Sequence, residues 1–253
     1  MLFGPNRENP PVLKLTTTIH KSCYELAMNL RTRISIKMRP PLLSQSDYFR
    51  NEMRMLTLYG GVKTRASLPR WYMEEKAISY NLIELNRQES ENLQADFLAI
   101  NPFGKLPVLI DSSIVMQNGE PLKLFESGTI LLYLAEQYSD DIKTTENKAL
   151  TSQWLQFVNS TLSIALLVPS HREKEFPRLM RALDRQIKID QPLVGNLWGA
   201  ADCAIQAYLA YLPLLFPHVD LDPYPSIQAM IESVVRRPAY RKAMGWGQLE
   251  MSP

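Results

Sequence analysis

The sequence predicts an α/β domain built on a mixed four-stranded sheet, followed by an all-helical domain. Two observations support this fold class. Strand and helix patterns follow one another between residues 55 and 138 in the order βαβαββα. After about residue 141 no strand pattern occurs, and apolar residues recur at helical spacing. We therefore predict domains at residues 55–140 and 141–253.

The elements of both domains are predicted from local signals. The first strand ends at Gly60-Gly61, and Asn101-Pro102 ends the helix before the third strand. The predicted strands are 55–59, 80–85, 108–111 and 122–125, with helices at 64–76, 91–100 and 127–138. Further helices are predicted at 146–167, 175–189, 200–216 and 226–235.

Residues 1–54 differ from the rest of the chain, because they carry nine basic and four acidic side chains. They are an organelle-targeting segment, a disordered arm, or translated sequence upstream of the true start. Met53 and Met55 directly precede the first strand and favour the third reading. We expect a basic leader outside the mature fold and a cytoplasmic protein, or an organellar one if the leader is a targeting signal.

Composition excludes several classes of function. The chain has 253 residues, 45% of them hydrophobic, and a net charge of +2, and its acidic remainder beyond residue 54 does not suggest a nucleic-acid surface. Cys23 and Cys203 lack metal-ligand or CxxC spacing, which fits a reducing compartment. The longest apolar stretch, residues 203–216, is interrupted by Gln206 and Pro213 and is too short to span a bilayer. We expect no metal, nucleic-acid or membrane partner.

Residues 101–109, Asn-Pro-Phe-Gly-Lys-Leu-Pro-Val-Leu, combine turn chemistry with a proline at a strand entrance. A cis Leu106-Pro107 bond would turn a backbone amide and carbonyl toward a ligand, whereas a trans proline would simply open an edge strand. Glu126 and Ser127 open the next helix, with Ser127 as a possible N-cap. Glu126 could bind an ammonium group, and Ser127 with the helix N-terminus a carboxylate.

Asp202 stands three residues after Gly199, at the start of a predicted helix. A carboxylate at this spacing accepts amide protons at the N-terminus of its own helix, so we assign Asp202 a structural capping role.

These features together resemble the cytosolic glutathione S-transferases, from residue 55 to about residue 244. The resemblance rests on Asn-Pro-Phe-Gly-Lys-Leu-Pro at 101–107, Glu126-Ser127, Gly195 to Asp202, and Arg-Arg-Pro-Ala-Tyr at 236–240. Residues 56–75 are most similar to the chi class of cyanobacteria.

The resemblance implies a thioredoxin-like domain that binds glutathione. The Leu106 backbone beside cis-Pro107 would pair with the cysteinyl part, and Glu126 and Ser127 would hold the γ-glutamyl end. Lys105 is either a contact for the glycyl carboxylate or a solvated loop lysine. A homodimer is implied, in which Phe103 inserts into the partner subunit or packs within its own domain.

The resemblance also implies that a group just after the first strand stabilises the glutathione thiolate. Thr64 is the first candidate. Ser67 is the second and could instead be a helix N-cap; Arg65 could add positive potential or structure the loop, and Tyr59 could be a donor or a packing residue. No cysteine lies at 60–67, which argues against disulfide exchange through a protein thiol.

We therefore expect a glutathione transferase acting on halonitroaromatics, peroxides and, if the chi resemblance holds, isothiocyanates. The second substrate would meet helical residues such as Trp154, Phe157, Val158 and Met244. Threonine stands where serine is commoner in the family, so a non-catalytic glutathione-transferase-like binding or scaffold protein is the alternative.

Overall fold

The structure is a computed structural model, and it describes residues 56–61 and 64–246. The predicted leader, residues 1–54, lies outside the described residues, as do Met53 and Met55. The predictions about the leader and about the domain limits at 55–140 and 141–253 therefore stay predictions.

A four-stranded mixed sheet forms the first half of the described chain. Its strands are β1 (Leu56–Gly60), β2 (Tyr80–Glu84), β3 (Val108–Val115) and β4 (Pro121–Phe125), in the spatial order β2-β1-β3-β4. β1 and β2 are parallel, whereas β3 is antiparallel to both β1 and β4. A parallel pair needs a long crossover, and a helix between β1 and β2 supplies it. The predicted mixed sheet is confirmed.

Three helices accompany the sheet: α1 (Ser67–Glu75), α2 (Ala95–Leu98) and α3 (Ser127–Gln137). The single helix predicted at 91–100 is wrong, because a 3₁₀ turn at Glu91–Leu93 precedes α2. Gln94 separates the two with an extended backbone, at φ −75° and ψ 153°. Strand β3 also runs four residues further than predicted.

The rest of the described chain is helical, as predicted. Its elements are α4 (Thr145–Gln156), a π-helical segment (Phe157–Leu162), α5 (Ser163–Leu167), α6 (Pro169–Gln186), α7 (Ala200–Ala210), α8 (Leu212–Leu215), α9 (Pro225–Arg236) and α10 (Pro238–Ala243). The helix predicted at 146–167 therefore contains a π-helical middle, and α10 was not predicted. In the described residues, no helix combines the length and apolar character that a membrane crossing requires.

Helix α1 joins the sheet to the helical region. Trp71, Tyr72 and Met73 are fully buried in one continuous core. The Trp71 ring lies edge-on to Tyr240 of α10, with 5.0 Å between ring centroids, and 5.1 Å from the ring of Trp198. Aromatic pairs at these distances contribute about 1 kcal/mol beyond the area they bury. The position of α1 is thus fixed from the helical side.

Two charged side chains at the end of α1, Glu75 and Lys76, connect it to the helical region by hydrogen bonds. Glu75 accepts hydrogen bonds from Arg237 at 2.6 and 2.8 Å and from the Trp71 indole at 2.8 Å. Burial acts to raise the pKa of Glu75, but the Arg237 and Trp71 hydrogen bonds outweigh it and leave the pKa below its usual value. Lys76 donates to Asp141 at 2.6 Å and to the Trp198 carbonyl at 2.7 Å.

Asp202 lies at the start of α7 and is 2% exposed. Its carboxylate accepts the Gly199 amide at 3.0 Å and the Leu193 amide at 2.9 Å. Burial raises its pKa to about 6, while the two amides favour the charged form. The side chain therefore hydrogen-bonds both to the preceding loop, at Leu193, and to the N-terminus of its own helix, at Gly199.

We predict that Glu75→Gln lowers the free energy of unfolding by about 2 kcal/mol at pH 7, because it leaves Arg237 without its counter-charge. Urea denaturation measures this value. Glu232→Gln is the control, since Glu232 and Arg236 form an exposed pair at 3.8 Å, worth less than about 0.5 kcal/mol.

The difference between wild type and Glu75→Gln should also depend on pH. A carboxylate with a lowered folded-state pKa stabilises the fold above its unfolded pKa of 4.5, and this stabilisation is lost as pH falls further. The difference should be constant near neutrality and shrink below pH 4.5. Equal losses for the Glu75 and Glu232 variants would contradict this account of the junction.

Candidate functional site

The loop after β1 folds back onto the strand that precedes it. A Cβ added at Gly60 would lie 2.2 Å from the Cβ of Ala66, so only glycine allows this close approach. The Thr64 hydroxyl donates to the Gly61 carbonyl at 2.7 Å and accepts the Ala66 amide at 3.2 Å. These hydrogen bonds connect Thr64 to Gly61 and Ala66, and Thr64 is partly exposed.

Ser67 is the first residue of α1 and is only 4% exposed. Its hydroxyl donates to the Thr64 carbonyl at 2.8 Å and also contacts the hydroxyl of Tyr211, on the helical side. The predicted N-cap position is occupied by Ala66 instead, which has no capping side chain. Ser67 thus joins the loop to the C-terminal end of α7.

Arg65 reaches across from the loop to the helical region. Its guanidinium donates to the side-chain oxygen of Asn159 and lies 6.0 Å from the ring centroid of Tyr208. Within the described part of the chain, Arg65 forms no salt bridge. Its positive charge is therefore held by neutral partners.

Tyr59 has a packing contact at the end of β1. Its ring lies 5.8 Å from the ring of Phe97, and the residue is partly buried.

The turn before β3 is organised around a fully buried asparagine. The Asn101 amide donates to the Lys105 carbonyl at 2.9 Å, and its side-chain oxygen accepts the Phe103 amide at 3.2 Å. The Leu106–Pro107 peptide bond is cis. Pro107 is buried, Leu106 is partly buried, and Lys105 is exposed.

Strand register places this turn beside the other predicted site residues. Val108 pairs with Tyr59 on one side and with Phe125 on the other. Pro107 precedes Val108, Gly60 follows Tyr59, and Glu126 follows Phe125. These three neighbouring residues therefore lie at the same edge of the sheet. The loop, the cis peptide and the start of α3 meet at this edge.

Glu126 and Ser127 form the start of α3, but the prediction that Ser127 is the N-cap is wrong. Glu126, not Ser127, occupies the N-cap, with a left-handed φ of +67°, and its side chain is exposed. Ser127 is the first helical residue and is 3% exposed. The first amides of a helix have no partners within it, so this helix end can bind an anion.

Sequence reasoning missed Asn159, which lies in the π-helical segment and contacts two parts of the site. Besides accepting from Arg65, its amide packs against Gly128, where an added Cβ would lie 2.5 Å from Nδ2. No local signal marked it, because the polar residues Ser160 and Thr161 follow it directly.

The residues predicted to meet a second substrate are not equally accessible. Val158 is 1% exposed and Met244 is 9% exposed, so both belong to the core. Trp154 and Phe157 are partly buried and form an edge-on pair with ring centroids 5.8 Å apart.

Phe103 is 65% exposed and lies edge-on to Phe125, which is 44% exposed, with ring centroids 5.5 Å apart. Among the described residues, no group of three or more His, Cys, Asp or Glu side chains is arranged to hold a metal ion.

Comparison with known proteins gives consistent matches. Residues 54–136 match the family model described as glutathione S-transferase, N-terminal domain. The chain is 30% identical over 194 residues to the disulfide-bond oxidoreductase YfcG of Escherichia coli, covering 70% of this chain and 89% of that protein. It is 29% identical over 211 residues to glutathione S-transferase GstB of the same organism, covering 75% and 98%.

Solved structures share the fold. A glutathione transferase from Pseudomonas putida, with one glutathione disulfide bound per subunit, matches with a TM-score of 0.64 at 24% identity, over 75% of this chain and 90% of that one. One from Burkholderia graminis, with two glutathione molecules bound per subunit, matches with a TM-score of 0.64 at 23% identity, over 77% and 89%. On these grounds the chain belongs to the glutathione S-transferase family.

Proposed function

We propose that the protein binds glutathione and activates its thiol for attack on small electrophiles. The observation that carries this proposal is the convergence of three features at one edge of the sheet. These are the Thr64–Arg65 loop, the turn at Leu106–Pro107 and the Glu126–Ser127 helix start.

Each feature suits one part of the tripeptide. The Leu106 backbone next to Pro107 offers hydrogen-bonding groups for the cysteinyl part, as an added strand would. The N-terminal amides of α3 and the Ser127 hydroxyl would receive the γ-glutamyl carboxylate, and Glu126 its ammonium group. Lys105 is exposed and can approach the glycyl carboxylate.

The activation step requires the site to favour the thiolate over the thiol. A free thiol of this kind has a pKa of about 8.5, and lowering it by about two units takes roughly 2.7 kcal/mol. We assign this work to the Thr64 hydroxyl, the Arg65 charge and the N-terminus of α1. Rotation of the partly exposed Thr64 side chain would redirect its proton from Gly61 to sulfur, whereas Ser67 is buried between two partners.

The electrophiles we propose are halonitroaromatics and peroxides, and the chi-class resemblance of residues 56–75 adds isothiocyanates. With the halonitroaromatics and isothiocyanates the thiolate sulfur forms a bond to carbon. With a peroxide it attacks oxygen, the O–O bond breaks, the alkoxide leaves as the alcohol, and a second glutathione condenses with the sulfenic acid to release glutathione disulfide and water. With a halonitroaromatic, halide leaves; with an isothiocyanate, nitrogen takes up a proton. No metal enters the proposed reaction. We further propose a homodimer.

The match to a relative named as a disulfide-bond oxidoreductase favours a second candidate function. Bound glutathione thiolate would attack one sulfur of a disulfide, and the other sulfur would leave and take up a proton. A second glutathione would then release glutathione disulfide. This route needs no protein thiol, which suits a loop without cysteine. Parallel assays with a halonitroaromatic and a small disulfide distinguish the two reactions.

We predict that Glu126→Gln weakens glutathione binding about tenfold, because it removes a charged partner of the γ-glutamyl ammonium. Isothermal titration calorimetry measures the affinity. Cysteinylglycine, which lacks the γ-glutamyl group, should bind wild type and variant equally. Glu120→Gln is a control at an exposed carboxylate that pairs with Lys123 at 2.7 Å, and equal losses in both variants would contradict the assignment.

We predict that Thr64→Val raises the pKa of the bound glutathione thiol by about one unit, since a charge-assisted hydrogen bond is lost. Ser67→Ala should leave this pKa unchanged but lower the free energy of unfolding by about 1 kcal/mol, because Tyr211 loses a buried partner. Ultraviolet thiolate absorbance and urea denaturation measure the two effects. If Ser67→Ala raised the thiol pKa and Thr64→Val left it unchanged, Ser67 would be the donor instead of Thr64.

We predict that Phe103→Ala weakens the proposed homodimer, because an exposed aromatic ring is removed from its surface. Size-exclusion chromatography with light scattering measures the mass across a dilution series. Leu93→Ala, at another apolar residue that is 56% exposed, is the control. An unchanged dimer would leave Phe103 as a partner of Phe125 only.

A further inference from the structure

Asn159 occupies an unusual place in the helical region. It lies in the π-helical segment Phe157–Leu162, between two stretches of regular α-helix. Such segments are rare and occur frequently at functional sites, because the extra residue redirects side chains. Here the polar side chain that is redirected contacts Arg65 of the candidate thiol-activating loop.

The same side chain is fixed from a second direction. An added Cβ at Gly128 would lie 2.5 Å from its Nδ2 atom, so the amide lies directly on the first turn of α3. Asn159 therefore links the loop that would face the glutathione thiol to the helix start that would bind the γ-glutamyl end. The close approach to Gly128 leaves little space around the Asn159 side chain.

The chemistry of the link is as informative as its position. An amide oxygen accepts from a guanidinium without neutralising it, whereas a carboxylate at this place would cancel the charge. Two ionisable side chains that interact with the Arg65 charge are Tyr208 and Tyr211. Burial raises the pKa of both, that of Tyr211 to about 12, so both are neutral at pH 7. Lys63 lies outside the described residues.

We propose that Asn159 is a positioning residue, which holds the Arg65 guanidinium at the glutathione thiol while leaving its positive charge undiminished. This inference rests on the proposed function, since Arg65 must favour the thiolate for its position to affect catalysis. Asn159 acts through Arg65 and needs no contact with either substrate.

Three variants test the proposal in the full-length protein: Asn159→Leu, Arg65→Gln and the double variant. The pKa of the bound glutathione thiol is read from ultraviolet thiolate absorbance, and affinity from calorimetry. At a pH below the thiol pKa, Asn159→Leu and Arg65→Gln should each reduce the thiolate fraction of bound glutathione about tenfold. The double variant should resemble Arg65→Gln alone, because Asn159 then has nothing to position.

Asn159→Asp tests the need for a neutral acceptor. It keeps the shape and the hydrogen bond, so the thermal midpoint should change little. Because the new carboxylate also lies at the first turn of α3, glutathione affinity should fall, and the readout is therefore taken at saturating glutathione. Under that condition the thiol pKa should rise and kcat should fall about tenfold at pH 6.5. Gln153→Glu adds the same charge at an exposed position of α4 and should leave the thiol pKa unchanged.

The outcomes separate this inference from the function on which it rests. If wild type binds glutathione without lowering the thiol pKa, the proposed function and this inference both fail. If wild type lowers it but Asn159→Leu and Asn159→Asp leave it low, only the role of Asn159 is overturned. Additive effects of Asn159→Leu and Arg65→Gln would likewise overturn it, because independent structural damage adds.

Discussion

The docking of helix α1 onto the helical region is the constraint on which the rest of the structure depends. At its C-terminal end, Glu75 binds Arg237 through two hydrogen bonds, and Trp71 packs between Tyr240 and Trp198. At its N-terminal end, Ser67 contacts Tyr211. Because α1 has only nine residues, fixing both ends also fixes Thr64 to Ala66, which directly precede it. The candidate thiol-activating groups thereby gain a rigid support.

That support explains how a site of mostly neutral groups can favour an anion. Two helices, α1 and α3, begin near the edge of the sheet where Pro107 enters β3, and each has a partial positive charge at its N-terminus. In α1 the Ser67 and Leu68 amides already donate to the Thr64 and Arg65 carbonyls, at 3.2 and 3.3 Å. Arg65 adds a full charge that no carboxylate of the described chain opposes. In the proposed function, one helix end would favour the thiolate and the other would bind the γ-glutamyl carboxylate.

Local patterns were enough to predict the sheet, the helical region, and the turn and helix start that meet at one edge of the sheet; the roles of the site residues stay predictions. Gly60 and Pro107 restrict the backbone by their own chemistry, and Glu126–Ser127 stand where a helical period begins, so neighbours in sequence carry these signals. The split helix at 91–100 was missed, because the extended backbone of Gln94 has no proline or glycine to announce it. Asn159 and Tyr211 were missed for another reason: their partners, Arg65 and Ser67, are 94 and 144 residues away. No periodicity within one element encodes such contacts.

The pKa of the glutathione thiol in complex with the wild-type protein tests the central claim most directly. Thiolate absorbance should be titrated against pH at saturating glutathione. S-methylglutathione serves as the blank, because its sulfur is methylated and cannot ionise. We expect the bound thiol to titrate about two pH units below the free value. Saturable glutathione binding with an unshifted thiol pKa would contradict thiol activation and would favour a binding or scaffold protein of the same fold.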